Sequence, residues 1–138
     1  MMETIFSKII AREIPADIVY EDELVLAFLD ITPVNYGHTL VVPKEHYINA
    51  IDAAPETLAH MMKVAQKIAQ ALKKSGLADG INLVMNNETA AGQEVFHAHL
   101  HVIPRLVDDN TYQKPRYVTL KEDAYQETKE RLKAALAE

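Results

Sequence analysis

In the stretch His97-Ala98-His99-Leu100-His101-Val102, three of the chain's six histidines stand at alternate positions. Side chains of a β-strand alternate between its two faces, so residues two apart share a face about 7 Å from each other. As a strand, the stretch places three imidazoles in a row on one face and Ala98, Leu100 and Val102 in a core on the other. A helix would spread the same histidines around more than half of its circumference. The alternation therefore predicts a strand.

Three interpretations of this histidine row remain open on the residues alone. The first is a sheet face that is polar by chance, which is the weakest because histidine is not favoured in strands. The second is a metal site, but such a site usually needs further ligands and the chain has no cysteine. The third, which the flanking residues favour, is catalysis, in which one imidazole attacks an electrophile while its neighbours bind charge and move protons. Histidine titrates near neutral pH, so a neutral nucleophile and a charged acid can coexist in one cluster.

The bulk composition is that of an ordinary globular protein with one domain. The 138 residues suit a single domain, residues 1–138, with a sizeable core, and 49% of them are hydrophobic. A formal net charge of −6 argues against binding to a nucleic acid polymer, for which a basic face is expected. Without cysteine there is no disulfide, thiol nucleophile or cysteine-ligated metal. No signal peptide or long apolar run is present, so we expect a cytoplasmic protein with no membrane partner.

The N-terminal half of the sequence predicts one helix and three strands. Apolar residues have helical spacing within 3–13, where Thr4 can cap the helix and Pro15 can end it. Strands are predicted at 18–21, 24–29 and 38–43, with a polar hairpin turn at 21–23. Asp30 directly follows the second strand. An acidic residue there is typical of a turn, and it is also placed to hold the hydroxyls of a sugar.

The C-terminal half predicts two further strands between two helices. Pro55 begins a helix that runs to Leu72 and is closed by Gly76. Strands are predicted at 81–86 and at 93–104, the second of which contains the histidine row, with a loop of small residues at 87–92. The segment 106–117 has no clear period, and a C-terminal helix is expected at about 122–137. This order predicts an α+β fold with a five-stranded antiparallel sheet.

These motifs resemble the histidine triad (HIT) family of nucleotide hydrolases and transferases. The family pattern is His-φ-His-φ-His-φ-φ, where φ is apolar, and it stands here as His97-Ala98-His99-Leu100-His101-Val102-Ile103. The segments 5–16, 20–33, 37–46 and 86–105 are similar to family blocks in the same order, so the resemblance covers about three quarters of the chain. It is closer to the bacterial Hit and Hint branches than to the distant uridylyltransferases, and it implies the HIT-like fold.

The resemblance implies transfer or hydrolysis of a nucleoside monophosphoryl group through a covalent phosphohistidine. His99 corresponds to the nucleophile that attacks the α-phosphorus, and His101 to the residue that binds the α-phosphate. His38 and His97 correspond to residues that set the nucleophile's surroundings. The implied nucleotide-binding residues are Asp30 for the ribose hydroxyls, Asn86 for ribose and phosphate, Gln93 for phosphate, and Phe6, Ile9, Ile31 and Leu40 for the walls around the base. Each of these four apolar residues would equally suit the core.

Two positions depart from the family pattern. Many bacterial members carry Cys-x-x-Cys where this chain has Thr4-Ile5-Phe6-Ser7, and those cysteines join two histidines around a structural zinc. His46 and His97 are retained here, but hydroxyls are poor zinc ligands, so we expect no metal and no other cofactor. Glu94 stands where the family commonly has Ser or Thr near the leaving group. Its carboxylate could donate a proton, repel a polyphosphate or simply face solvent.

Function hypotheses from three classes follow. The leading one is an enzyme that cleaves a purine nucleoside phosphoramidate, such as AMP joined to an amine, with hydrolysis of a dinucleoside polyphosphate as its alternative. The second is a nucleotide-binding or scaffolding protein whose turnover is incidental. The third is a metal-binding protein that uses the histidine row. The expected partner is a purine mononucleotide or a nucleotide conjugate.

The resemblance also implies a homodimer. The predicted helix is apolar over a wider arc than the roughly 100° that covers one sheet, with Leu58, Met61, Met62, Ala65, Ile68, Ala69 and Leu72. The surplus predicts a second apolar contact, and a twofold partner is the commonest way to provide it. The alternative is that the C-terminal helix covers this surface within one chain.

Overall fold

The computed structural model describes residues 3–109 and 114–138, which contain five strands, three α-helices and a 3₁₀ helix at Thr89–Ala91. In chain order the main elements are α1 (Ile5–Ile10), β1 (Ile18–Glu21), β2 (Val25–Leu29), β3 (Thr39–Pro43), α2 (Pro55–Lys74), β4 (Gly80–Val84), β5 (Leu100–Arg105) and α3 (Glu122–Leu136). The strands form one sheet in the order β1-β2-β3-β5-β4, with every neighbouring pair antiparallel. The predicted α+β fold is confirmed. Residues 110–113 of the predicted irregular segment lie outside the described residues.

Each face of the sheet carries its own apolar core, because the central strands are apolar on both sides. On one face, residues such as Val25 and Val41 pack with Met61 and other residues of α2. On the other face, Leu26, Phe28, Leu40 and Val42 pack with Phe6 and Ile9 of α1. Leu100 and Val102 of β5 belong to the α2 side, as predicted. His101, which stands between them, therefore faces the α1 side.

The first helix is shorter than the predicted 3–13. Its cap is as predicted: Thr4 Oγ1 accepts a hydrogen bond from the backbone N–H of Ser7 at 3.1 Å, and Ser7 Oγ accepts one from the N–H of Thr4 at 2.8 Å. The helix ends at Ile10 because Arg12 adopts the left-handed conformation, with φ of 65°. Arg12 therefore ends the helix before Pro15 is reached, and the prediction that Pro15 ends it is wrong.

The predicted boundaries of the last two strands also differ from the structure. β4 ends at Val84 instead of Asn86, and β5 begins at Leu100 instead of Gln93. The backbone N–H of Ala98 bonds the carbonyl of Tyr47 at 2.8 Å, so this part of the chain does not pair with β4. His97 and His99 consequently belong to the β4–β5 loop (residues 85–99), and only His101 of the triad lies within a strand.

The second helix begins at Pro55 as predicted and continues to Lys74, two residues beyond Leu72. Its inner side is buried, whereas Met62 on its outer side is 48% exposed. The outer side lies beside β4, the edge strand of the sheet. An apolar strip therefore remains open to solvent in the single chain.

The C-terminal helix does not cover that strip. Every residue of α3 is exposed, including Leu132 at 59% and Leu136 at 76%. The helix itself was predicted at about the right residues, but the alternative that it covers α2 within one chain is wrong. None of the described helices is both long and apolar enough to cross a membrane.

Candidate active site

A cleft opens on the α1 side of the sheet, between α1, the central strands and the β4–β5 loop. Its volume is ≈ 420 Å³, within the range of about 300–1,000 Å³ that is usual for small-ligand pockets. It is lined by Ile5, Phe6, Asp30, Thr32, Leu40, Asn86, Gly92, Glu94, Val95, His99 and His101. The fold thus brings six of the implied site residues, which are Phe6, Asp30, Leu40, Asn86, His99 and His101, into one cavity.

His99 is held in one tautomer by its own loop. Its Nδ1 lies 2.7 Å from the carbonyl oxygen of His97, and a carbonyl can only accept, so Nδ1 carries the proton. The ring packs edge-on against Phe6, with 4.9 Å between centroids. His99 is only 8% exposed. Its Nε2 therefore keeps an unprotonated lone pair at the cleft.

His101 is held in the opposite tautomer by a chain of hydrogen bonds. The backbone N–H of Val34 donates to Nδ1 of His38 at 3.1 Å, so the proton of the neutral His38 ring is on Nε2. That Nε2 lies 2.9 Å from Nδ1 of His101, which must accept. The remaining nitrogen of His101, Nε2, then carries a proton. The cleft thus contains one histidine that offers a lone pair and one that offers an N–H.

Burial keeps these imidazoles neutral. It lowers the pKa of His99, although the hydrogen bond to His97 and the charge of Asp30 act in the other direction. Burial, together with the neighbouring His99 and His38, lowers the pKa of His101 to about 4. The pKa of His38 is also lowered by burial, against the effect of Asp30. At neutral pH the cluster offers lone pairs and N–H groups rather than positive charge.

The sequence match identifies the family to which this histidine cluster belongs. A profile of the HIT domain matches residues 11–107, well over half of the chain. This chain belongs to the HIT family. The match spans the whole sheet and the β4–β5 loop, while α1 and α3 lie outside it.

Three similar proteins illustrate the match. Protein hit of Bacillus subtilis is 50% identical over 101 residues, which cover 73% of this chain and 70% of that protein. Adenylylsulfatase HINT3 of Arabidopsis thaliana is 41% identical over 107 residues, 78% of this chain and 54% of that protein. The crystal structure of SMU.412c from Streptococcus mutans UA159 matches with a TM-score of 0.91 at 42% identity, over 99% of this chain and 87% of that chain. The predicted HIT-like fold is therefore confirmed.

Asp30 of this HIT domain stands at the cleft but already has partners. Its Oδ1 accepts from the backbone N–H of Thr32 at 2.9 Å and from the Thr32 hydroxyl at 3.1 Å. Its Oδ2 lies 3.5 Å from Nε2 of His38. The carboxylate is thus oriented by a turn at the end of β2, and its role towards a ribose stays a prediction. Thr32 was not identified from the sequence as a partner of Asp30, although a threonine two residues after an aspartate is a local signal of such a turn.

His97 lies behind the cleft and not in it. It is completely buried, its Nε2 donates to the carbonyl of Pro43 at 2.8 Å, and the hydroxyl of Thr4 lies 3.3 Å from its Nδ1. His46 packs edge-on against it, with 5.0 Å between centroids. His97 therefore joins α1 to β3 and presents its carbonyl to His99. Sequence spacing alone placed its ring in the same row as the other two.

Gln93 is also outside the cleft, and its amide is fully engaged. Its Oε1 accepts from the Asn49 amide at 3.1 Å and from the backbone N–H of Glu88 at 2.7 Å. Its Nε2 donates to the carbonyls of Ile48 and Val95 at 2.6 and 3.0 Å. In this arrangement Gln93 shapes the β4–β5 loop, and phosphate binding by it stays a prediction.

Two of the implied base-pocket residues lie away from the cavity. Ile9 packs from α1 into the core, and Ile31 is 87% exposed between the lining residues Asp30 and Thr32. Ile5 and Val95 line the cleft in their place. Neither was singled out, because an apolar residue in a helix or loop gives no sign of the cavity that tertiary contacts build around it.

One grouping of described residues could hold a metal ion. Asp30, His38 and His101 each offer a ligand atom, all within 4.8 Å of one another. However, Nδ1 of His38 accepts from Val34, so a metal at Nε2 would require the ring to lose both protons. This donor set therefore does not fit a metal ion, and the absence of a metal stays a prediction.

Proposed function

We propose that this HIT protein hydrolyses a purine nucleoside phosphoramidate, in which AMP is joined to an amine, through a covalent nucleotidyl-His99 intermediate. The observation that carries the proposal is the 2.7 Å hydrogen bond from His99 Nδ1 to the carbonyl of His97. It leaves the lone pair of Nε2 available on a neutral imidazole. The His101 ring, which offers the opposite polarity, lies 5.1 Å from it between centroids. A neutral imidazole with a fixed tautomer is suited to nucleophilic catalysis.

The reaction proceeds in two displacements at phosphorus. In the first, Nε2 of His99 forms a bond to the α-phosphorus while the bond to the bridging nitrogen breaks. The electron pair of that bond leaves with the nitrogen, which has taken up a proton from solvent, and a neutral amine departs. In the second, water attacks the phosphorus while the bond from phosphorus to Nε2 of His99 breaks and its electron pair returns to Nε2. AMP is released, and the proton of the water goes to solvent. His99 is neutral again at the end.

His101 supports both displacements as a hydrogen-bond donor. Its Nδ1 is occupied by His38, so Nε2–H is the group left to contact a phosphoryl oxygen. Negative charge that develops on this oxygen is stabilised by a donor already held in position. Since burial keeps His101 neutral, with His99 and His38 acting in the same direction, we assign His101 to charge stabilisation and not to proton supply.

The remaining cleft residues suit a nucleoside. Asp30 and Asn86 are polar groups for the ribose, and Phe6 and Leu40 give apolar walls for a purine. Carboxylate oxygens can accept from the 2′ and 3′ hydroxyls together. The cleft volume of ≈ 420 Å³ is adequate for a mononucleotide.

The proposal is tested by comparing substrates and by trapping the intermediate. We expect kcat/KM for adenosine phosphoramidate to exceed that for diadenosine polyphosphates and for adenylyl sulfate, the last included because the Arabidopsis relative is named an adenylylsulfatase. Mass spectrometry of acid-quenched protein should show one AMP adduct on His99. An adduct on another residue, or binding of AMP without any turnover, would contradict the proposal.

We propose that the protein acts as a homodimer formed through α2 and β4. The groove between these elements has a volume of ≈ 550 Å³ and is lined by Ala59, Met62, Lys63, Gln66, Ala69, Ile81 and Leu83. Leu83 is 42% exposed on an edge strand, whose free backbone groups favour pairing with another chain. A second copy can cover both the edge and the apolar strip, which α3 leaves open.

A further inference from the structure

The charge of the active-site cleft is negative. Among the described residues that line it, Asp30 and Glu94 are the charged ones, and none is a lysine or arginine. His99 and His101 line the cleft as neutral rings, since burial lowers the pKa of each. A nucleotide that enters the cleft therefore meets two carboxylates and no compensating cation from the described lining.

The two carboxylates differ in their freedom to contact a ligand. Asp30 is engaged with Thr32 and lies 3.5 Å from His38. Glu94 makes no hydrogen bond or ion pair with the described part of the chain, 3–109 and 114–138, and its side chain is exposed. It also lies in the β4–β5 loop, five residues before His99. Glu94 is consequently the lining carboxylate that remains available to a ligand in the cleft.

We propose that Glu94 is a specificity-determining residue, which makes the cleft prefer phosphoramidates whose departing amine carries a further positive charge, as a diamine or a basic amino acid does. The inference rests on the proposed function for its reaction. Glu94 attracts a cationic leaving group and repels an anionic one, and both effects increase the preference for the cationic substrate. Polyphosphate and sulfate leaving groups fall in the repelled class.

The same carboxylate also favours the chemistry of the first step. The bridging nitrogen must carry a proton before it departs as a neutral amine, and His101, which burial keeps neutral, supplies none. A negative charge nearby raises the fraction of substrate that has taken up a proton from solvent. The bond from phosphorus to nitrogen then breaks with its electron pair on nitrogen, while Nε2 of His99 forms the new bond.

The test uses three AMP phosphoramidates of equal chain length, made from 1,4-diaminobutane, butylamine and 4-aminobutyrate. Their free ends are cationic, neutral and anionic, and the bond that breaks is the same. We expect kcat/KM to fall in that order for the wild type, with a ratio of about ten between the first and the last, as for charges that interact near a surface. Added salt should reduce this ratio.

The variant Glu94→Gln should bring the ratio close to one and remove its dependence on salt. It should also lower kcat/KM for the butylamine substrate, because the charge that favours protonation of the bridging nitrogen is lost. Glu88→Gln is the matched control, since Glu88 is an exposed carboxylate of the same loop outside the cleft, and it should keep the wild-type ratio. Glu94→Ser provides a second variant at the site. An unchanged ratio in both Glu94 variants, with activity retained, would show that Glu94 only faces solvent.

Failure of the proposed function gives a different result. If the wild type cleaves none of the three compounds, the phosphoramidase assignment is wrong. The charge preference of the cleft is then measured as the affinities of the same three compounds by calorimetry. Tighter binding of the diamine conjugate that is lost in Glu94→Gln would still support the role of Glu94. Equal binding of all three by the wild type would overturn it.

Discussion

Nε2 of His38 donates a hydrogen bond to Nδ1 of His101 across 2.9 Å, and this bond determines which nitrogen of His101 carries a proton. His38 can donate because its other nitrogen accepts from the backbone N–H of Val34. The backbone N–H of Val34, between β2 and β3, therefore fixes the orientation and tautomer of His101 in the cleft through His38. His38 is therefore a positioning residue for His101 in the mechanism proposed above.

Replacing His38 tests this relationship. His38→Leu removes the donor, so the tautomer of His101 is no longer fixed, and we expect kcat to fall at least ten-fold with little change in KM. His38→Gln retains an N–H donor and should recover part of the loss. Nitrogen NMR of His101 reports its tautomer directly. Equal activity of the Leu and Gln variants would argue against a role through hydrogen bonding.

Removing the nucleophile should be more severe than removing the donor. His99→Ala is expected to lose turnover and the AMP adduct, while the rest of the pocket still binds AMP. His101→Ala should also be severe but should still form some adduct, because it lacks only charge stabilisation. His60→Ala, on α2 and outside the cleft, is the control. More than a few per cent of the wild-type kcat in His99→Ala would remove His99 from its assigned role.

Asp30 can be tested through the sugar. Asp30→Ala should raise KM for a ribonucleotide substrate and narrow the preference for ribose over 2′-deoxyribose, because two acceptor oxygens are lost. Thr32→Val is the control, since it removes one hydrogen bond to the carboxylate and leaves the carboxylate in place. If the ratio of kcat/KM between the two sugars is the same in Asp30→Ala as in the wild type, Asp30 serves only the turn.

The alternation of the histidine motif predicted only part of the site correctly. For Leu100 to Val102 the local pattern agreed with the structure, because these residues lie in β5 and the pleat decides their faces. It failed for His97, whose surroundings depend on a bond between Ala98 and Tyr47, far away in the sequence. Gln93 is a similar case, because two of its partners, Ile48 and Asn49, lie far away in the sequence. No local period encodes such contacts.

The other differences are of two kinds, those that the local sequence could have predicted and those that it could not. Arg12 has a left-handed backbone, which only some sequences signal in advance, and arginine is not among the residues that favour it. The turn from Asp30 to Thr32, by contrast, has a recognisable sequence. The apolar surplus of α2 was predicted from its arc alone. The sequence of α2 does not show which surface covers this apolar side, and in the structure α3 does not contact it.

Acid should destabilise the protein through His101. Its pKa is about 4 in the folded chain against an ordinary 6.5, so the unfolded chain binds more protons between these values. The contribution of His101 to the free energy of unfolding is therefore fully present above about pH 7, and it is lost as the pH falls towards 4. By pH 4.5 the loss should be about 2 kcal/mol. Urea unfolding at pH 7.5 and 4.5 measures it, and His101→Gln should show a smaller difference between the two pH values than the wild type.

The dimer can be tested on one helix. Ala69→Glu or Met62→Glu places a charge in the groove between α2 and β4, where burial of an unpaired carboxylate is unfavourable. We expect sedimentation at micromolar concentration to show a dimer for the wild type and a monomer for either variant. Ala71→Glu adds the same charge at an exposed position outside the groove and should remain dimeric. A wild-type mass of 15.5 kDa with full activity would contradict the proposed assembly.

The start of β5 at Leu100 separates His99 and His101, to which we assign the reacting roles, because His101 lies in the sheet and His99 lies in the preceding loop. His101 pairs with Leu40 on one side and Val84 on the other, so it moves only with the sheet. His99 precedes the strand, and the carbonyl that orients it belongs to its own loop. A displacement of that loop would move His99 together with the carbonyl that fixes its tautomer, while His101 stayed in the sheet. Amide hydrogen exchange should therefore show less protection at His99 than at His101.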